Sequence, residues 1–186
     1  MDLALLLINK FKKEPIADPS IPATTPAPPL TARQNMIEDI RLKNLEPTTQ
    51  IFVKSILGWA RANGIPAILG ETHRTQADQD KASKEGKSAI KEGQFGWHQV
   101  GRAFHLIIMK DGQLDRDSYR RIGEEVRKRG GDWLGDRVLK TGKGTVEDIA
   151  HYEYHPGIKI TSYRGSSLAK KELAMAERRK ARYGYG

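Results

Sequence analysis

Four of the five histidines in this chain fall within two short segments, 96–105 and 148–155. The sequence contains no cysteine, which excludes thiolate ligands, so any transition metal must be held by histidine or carboxylate side chains. An isolated histidine is usually structural, whereas several imidazoles grouped near acidic residues are typical of a metal site or an acid–base site. The grouping therefore predicts a metal centre built from both segments.

The spacing within these segments predicts which histidines meet. His98 and His105 are seven residues apart, and on one straight strand that odd spacing would place them on opposite faces. Gly96 and Gly101 indicate instead that His98 lies in a turn before the strand, and a turn followed by a strand can bring both imidazoles to one point. His151 then comes from a distant strand. Three protein ligands with an open fourth position are typical of catalytic zinc, so we predict Zn²⁺ on these three histidines.

Two carboxylates near His151 are candidates for the base that a hydrolase needs. Asp148 lies three residues before His151, and Glu153 lies two residues after it. Along a strand Glu153 shares the face of His151, while Asp148 approaches from the entry of the strand. The spacing favours Glu153 as a base or as a partner of the ligand, and it leaves both residues open as the base.

The elements that must position these residues are short. Helical periodicity and strand patterns alternate along the chain: helices over 32–45, 48–62, 76–85, 117–129 and 166–182, and strands over 66–71, 103–110 and 149–154. Few and short strands favour a small antiparallel sheet flanked by helices over a doubly wound parallel sheet. We therefore predict an α+β fold with an extended N-terminal arm and a basic C-terminal helical tail.

Composition divides the chain into three parts. Residues 1–45 contain a short predicted helix over 2–13 and a connector over 14–31 with six prolines, which predicts an extended arm. Residues 46–163 form the predicted domain, and residues 164–186 form a tail with seven basic and two acidic residues. No apolar run approaches the roughly 18 residues of a membrane span, and no signal peptide is expected.

Four segments follow one another between residues 66 and 156 in a fixed order. They are 72–79 with Arg74, 86–88 followed by 96–105 (GWHQVGRAFH), 130–133 (GGDW) and 148–153 (DIAHYE). In this order they resemble the motifs of the zinc D-alanyl-D-alanine carboxypeptidase and L-alanyl-D-glutamate endopeptidase family. The resemblance implies that His98 and His151 bind the metal, that Asp148 is the general base and that Arg74 holds a substrate carbonyl or carboxylate. The family has aspartate at position 105, where this chain has His105, which is also a good zinc ligand.

The resemblance implies a zinc peptidase that cuts the peptide part of bacterial peptidoglycan. The proline-rich arm and the expected lack of an export signal suggest a phage protein, either an endolysin in the host cytoplasm before lysis or a component of the virion. In the virion, residues 1–45 would bind other virion proteins. The alternative is a non-catalytic tail or baseplate protein that keeps the peptidase fold. A formal charge of +9 also suits nucleic acid, but most of it lies in the tail, and we do not predict that partner.

Overall fold

The computed structural model describes residues 25–110, 113–141 and 143–184. The helix predicted over 2–13 lies outside the described residues, as does most of the proline-rich connector. Residues 25–31, the described end of that connector, form neither helix nor strand. None of the helices among the described residues is both long and apolar enough to cross a membrane.

Five of the six described helices begin at a residue whose side chain accepts a hydrogen bond from a free backbone N–H group of the first turn; the exception is the helix Ile160–Tyr163. The described helices are α1 (Ala32–Asn44), α2 (Pro47–Ala62), α3 (Gln76–Lys84), α4 (Arg116–Lys128), α5 (Ile160–Tyr163) and α6 (Ser167–Tyr183). The Thr31 side chain accepts a hydrogen bond from the Gln34 N–H, and Thr75 does the same for Asp78. The five predicted helices that fall within the described residues are confirmed to within a few residues.

Among the described residues, eight short strands form one sheet and two hairpins. They are β1 (Ile68–Leu69), β2 (Ala103–Ile107), β3 (Met109–Lys110), β4 (Gln113–Leu114), β5 (Asp132–Trp133), β6 (Val138–Thr141), β7 (Gly144–Glu147) and β8 (His151–Glu153). Strands β1, β2, β8 and β5 are neighbours in this order, and every pair is antiparallel. The predicted α+β class, a small antiparallel sheet flanked by helices, is confirmed.

The pairing of β2 with β8 separates two faces of the sheet. Phe104 lies opposite Tyr152, both side chains are fully buried, and their rings stack with centroids 5.5 Å apart. Phe52 of α2 packs edge-on against Phe104 in the same core. Because side chains alternate along a strand, the neighbouring residues point to the other face. There His105 lies opposite His151.

The C-terminal helix α6 packs against the start of β2. The buried Arg102 guanidinium donates two hydrogen bonds, of 2.8 and 2.7 Å, to the buried carboxylate of Glu172. The Tyr163 hydroxyl donates to the same carboxylate, and Ala169 shares an apolar cluster with Ala103. Part of the predicted tail is thus in contact with the domain, while the proposed boundaries at residues 45 and 163 stay predictions.

The strands differ from the predicted ones in length and number. The strand predicted over 103–110 is divided into β2 and β3. Of the run predicted over 66–71, only Ile68 and Leu69 form a strand, although backbone hydrogen bonds from Gly70 to His105 and from His105 to Glu71 continue the pairing. The hairpin of β6 and β7 was not predicted, because its two strands are mostly exposed and have no continuous apolar face.

Candidate metal centre and active site

His105 and His151 face each other because of the register of the sheet. They are direct partners on the antiparallel strands β2 and β8, so their side chains leave the same face side by side. The His105 Nε2 atom lies 3.1 Å from the His151 Nδ1 atom. A shift of one residue in this pairing would move one imidazole to the core face.

His98 reaches the same point from the turn that precedes β2, as predicted. Its ring centroid lies 4.9 Å from those of both His105 and His151. Gly101 makes this turn possible, because it adopts φ +75° and packs against the backbone of Asn44 and Glu46. A Cβ atom at position 101 would lie 2.8 Å from the Glu46 nitrogen, so a larger residue would displace the turn.

Each of the three imidazoles has one nitrogen beside an oxygen atom on its outer side. His98 Nδ1 lies 3.1 Å from the Thr72 carbonyl oxygen, and His151 Nε2 lies 3.0 Å from Glu153 Oε1. His105 Nδ1 lies 3.5 Å from a carboxylate oxygen of Glu71. When this outer nitrogen donates its hydrogen, the other ring nitrogen, the inner one, keeps a lone pair. Metal-binding histidines are oriented in this way.

The inner nitrogens fit a metal ion. One ligand atom from each histidine lies within 4.8 Å of the other two. His98 Nε2 is buried and has no hydrogen-bond partner among the described residues, which is costly for a polar atom unless a ligand occupies that position. Complete burial lowers the pKa of His98 well below its usual value, and the nearby His105, His151 and Arg74 charges lower it further. His98 is therefore neutral, as a metal ligand must be.

The Asp148 carboxylate lies beside two of the three imidazoles. Its Oδ2 atom is 3.5 Å from His105 Nε2 and 3.6 Å from His151 Nδ1, the two inner nitrogens. Burial alone would raise the pKa of Asp148, but its interactions with His105, His151 and Arg74 outweigh burial and lower it. Asp148 is thus an ionised carboxylate next to the candidate metal position.

Glu153 lies behind His151 rather than in front of it. Its two carboxylate oxygens lie 3.0 Å from His151 Nε2 and 2.8 Å from His155 Nε2. Although burial would raise the pKa of Glu153, these hydrogen bonds lower it to about 2. The predicted face of Glu153 is confirmed, and its geometry is that of a group that orients His151. His155, predicted to lie in a loop, does so and stacks on Trp97.

Arg74 lies beside the same centre but is already paired. Its guanidinium contacts both carboxylate oxygens of Glu71, at 2.9 Å for the Nε bond, and donates a further bond to Gln79. Burial alone would lower the pKa of Arg74, but the hydrogen bond and charge of Glu71 outweigh burial and raise the pKa above its ordinary value. The guanidinium therefore stays charged while it shares its donors with Glu71.

A cavity of about 250 Å³ opens onto these groups. Arg74, His98, Asp148, His151 and Glu153 all line it. Its other walls include apolar side chains of the β6–β7 hairpin and of segments on either side: Ile90, Leu134, Leu139, Val146 and Ile160. His105 does not line the cavity but lies 3.1 Å from His151, so the structure brings together all six residues that the sequence singled out. An apolar lining with a few converging polar groups is typical of a ligand-binding cleft.

Sequence reasoning missed three groups at this site. Glu71, which contacts both Arg74 and His105, is the last residue of the predicted strand 66–71, and nothing in that pattern indicates a role at the site. The Thr72 carbonyl is a backbone group, which no residue type could reveal. Arg164 also lines the cavity, although in the sequence it is one basic residue of the predicted tail.

A sequence comparison supports the resemblance that the motifs suggested. No family model matches the chain. The sequence is 26% identical over 100 residues to the L-alanyl-D-glutamate peptidase of Listeria phage A118, an alignment that covers 51% of this chain and 34% of that protein. The chain thus spans about a third of the length of this relative. A crystal structure of the vancomycin-resistance D,D-pentapeptidase VanY in complex with Zn(II) superposes with a TM-score of 0.48, at 18% identity, over 69% of this chain and 83% of that one.

Proposed function

We propose that this chain is a zinc-dependent peptidase that cleaves the peptide part of bacterial peptidoglycan. The observation that carries the proposal is the arrangement of His98, His105 and His151, whose inner nitrogens converge while an oxygen lies beside each outer nitrogen. The similarity to a phage L-alanyl-D-glutamate peptidase supports a bond that involves alanine.

The three histidines would hold the metal through imidazole nitrogens, a donor set that suits zinc. Zinc bound there supplies Lewis acidity for a peptide carbonyl and makes a water molecule nucleophilic near neutral pH. The Thr72 carbonyl and Glu153 keep His98 and His151 in the required tautomer and orientation.

Asp148 is the proposed general base. Its Oδ2 atom accepts the proton of the attacking water and returns it to the amine that leaves. Support comes from its position 3.5 and 3.6 Å from the inner nitrogens of His105 and His151, whereas Glu153 is engaged by two histidines. Arg74, held by Glu71 and Gln79, is the proposed donor to the carbonyl oxygen as it gains negative charge.

His105 replaces an aspartate of the family motif, and the site compensates locally. Glu71 places a carboxylate oxygen 3.5 Å from His105 Nδ1, so a negative charge lies directly behind the imidazole. A histidine backed by a carboxylate is a more basic ligand than an isolated one. This pair supports a working metal centre at position 105.

We further propose that the protein comes from a phage and acts either as an endolysin or from the virion. The sequence relative in Listeria phage A118 supports a phage origin. Residues 1–45 would then bind other virion proteins. The non-catalytic alternative has no support from the proteins that this chain resembles.

The proposal is tested by incubating the purified chain with intact peptidoglycan, with and without a chelator. Mass spectrometry of the released muropeptides would identify new amino termini and thus the bond that is cut. We expect cleavage that the chelator abolishes and added zinc restores. Folded, zinc-supplied protein that leaves several wall chemistries intact would contradict the proposal and favour a structural role.

A further inference from the structure

Arg164 is a cationic side chain of the cavity that has no acidic partner. Its Nε donates a 2.8 Å hydrogen bond to the Phe95 carbonyl, and its Nη1 donates a 3.1 Å bond to the Gln94 side-chain oxygen. Both acceptors are neutral. No carboxylate among the described residues lies within ion-pair distance of its guanidinium, and Nη2 donates to none of them.

The other cationic groups of the cavity differ from Arg164 in this respect. Arg74 is bound by both oxygens of Glu71, and Lys87 lies 2.8 Å from a carboxylate oxygen of the exposed Glu85. Partial burial lowers the pKa of Arg164, because the charge loses hydration there. An arginine that has lost hydration without gaining a counter-ion is prepared for an anion from outside the chain.

Two hydrogen bonds and a ring contact hold Arg164 against the segment that leads to His98. Its acceptors, Gln94 and Phe95, lie only a few residues before His98, and its guanidinium also lies over the Phe95 ring at 6.0 Å from the centroid. Ile160, one turn earlier, lines the cavity beside it. The free donors of Arg164 are therefore held at a set place in the cavity that contains Asp148 and His151.

We propose that Arg164 binds a free carboxylate of the substrate and determines the specificity of the site for acidic wall peptides. This inference rests on the proposed peptidase function. A glutamyl residue has two carboxyl groups, and only one of them continues the peptide chain, so the second carries a negative charge close to the scissile bond. The planar guanidinium, with Nη2 free, matches that carboxylate. Amidation of the carboxylate removes the charge that Arg164 recognises.

The test compares two peptides on the full-length, metal-free protein by isothermal titration calorimetry. One is an N-acetylated peptide with an alanyl–D-glutamyl bond and a free side carboxylate, and the other is the same peptide with that carboxylate amidated. We expect wild type to prefer the free carboxylate and Arg164→Gln to lose about 10-fold in affinity for it, as for a lost charged hydrogen bond. The affinity for the amidated peptide should not change.

The ratio of the two affinities is the decisive quantity. Both peptides are measured on one preparation, so a variant that is partly unfolded changes both affinities and leaves the ratio unaffected. Arg164→Lys, which keeps the charge, should retain part of the preference. Arg120→Gln removes an equal charge from an exposed arginine on α4 that does not line the cavity, and it should keep the full preference. A ratio that is the same in wild type and Arg164→Gln, or a wild type that binds neither peptide, would overturn the proposal.

Failure of this inference and failure of the proposed function give different results. If zinc-loaded wild type cleaves the peptide and Arg164→Gln cleaves both forms as wild type does, the peptidase stands and the role of Arg164 is wrong. If wild type prefers the free carboxylate but never cleaves it with zinc, the binding site stands and the peptidase is wrong.

Discussion

Residues 104 and 105 are neighbours in the chain but belong to two different environments. Phe104 points into a core where it stacks on Tyr152, while His105 points to the face where it meets His151. One pair of strands, in one register, therefore sets both the stability of the domain and the geometry of the candidate metal centre. Substitutions one or two residues apart should therefore change either the stability of the domain or its chemistry, but not both directly.

The sharpest separation is expected from Asp148→Asn. Loss of a general base reduces rates by about 10²- to 10⁴-fold. Cleavage of a wall peptide should fall by this amount, while zinc content and thermal unfolding stay as in wild type. Asp117→Asn, at an exposed carboxylate on α4, is the matched control and should keep full activity. Activity that survives in Asp148→Asn would make Glu153 the base.

On the opposite face, Phe104→Ala should lower stability rather than act on chemistry directly. Truncation of a fully buried phenylalanine typically costs about 3–5 kcal/mol of unfolding free energy. Urea unfolding measures this loss, and the exposed Val138→Ala provides a control with a change below about 0.5 kcal/mol. If Phe104→Ala is as stable as wild type, the division between the two faces is wrong.

The buried pair of Arg102 and Glu172 connects the start of β2 to helix α6, and a substitution that breaks the pair tests this contact. Glu172→Gln leaves the Arg102 charge without its bidentate partner, and breaking a buried pair costs about 3 kcal/mol. Glu177→Gln, on the exposed side of the same helix, should change stability little. Equal unfolding midpoints for the two variants would show that α6 does not stabilise the start of β2.

The same pair predicts a pH dependence with a defined sign. Burial would raise the pKa of Glu172, but Arg102 and Tyr163 lower it below its ordinary value of 4.5. Its stabilisation is therefore complete above pH 4.5 and is lost as the pH falls through the lower, folded-state pKa. Wild type should lose stability in this acidic range more steeply than Glu172→Gln, as measured by thermal unfolding at a series of pH values.

The smallest effect is expected from Glu153→Gln, which acts through His151. Changing the partner of a metal-binding histidine weakens metal affinity by about 10- to 100-fold. Competition with a chelator measures this affinity, and Glu147→Gln on the exposed β7 strand is the control. Excess zinc should restore cleavage in Glu153→Gln but not in Asp148→Asn. A Glu153→Gln protein that binds zinc normally yet stays inactive would reverse the roles of the two carboxylates.

Much of this site could be predicted from the sequence because its residues carry recognisable chemistry. His98, His105 and His151 are rare residue types in clustered positions, and Gly101 marks the turn that allows His98 to join the strand pair. Glu153 was placed on the face of His151 by strand alternation alone, and the hydrogen bond between them confirms it. The α+β class followed from the number and length of the apolar segments.

Other features depend on contacts between distant parts of the chain. Glu71 contacts His105 because β1 pairs with β2 and backbone hydrogen bonds extend this pairing to Glu71, and no local pattern specifies which strands pair. Arg164 looks like one charge among many in a basic tail, and its position in the cavity comes from hydrogen bonds to residues about 70 positions earlier. The exposed β6–β7 hairpin has no apolar periodicity to predict it.

A zinc titration of the metal-free protein tests the central claim most directly, with cleavage of an alanyl–glutamyl peptide as the readout. If His98, His105 and His151 form one catalytic centre, activity rises with added zinc, reaches a plateau at one equivalent per chain, and is absent in His151→Ala. Cleavage that is independent of zinc, or a folded, zinc-saturated protein that cleaves no wall peptide, would contradict it.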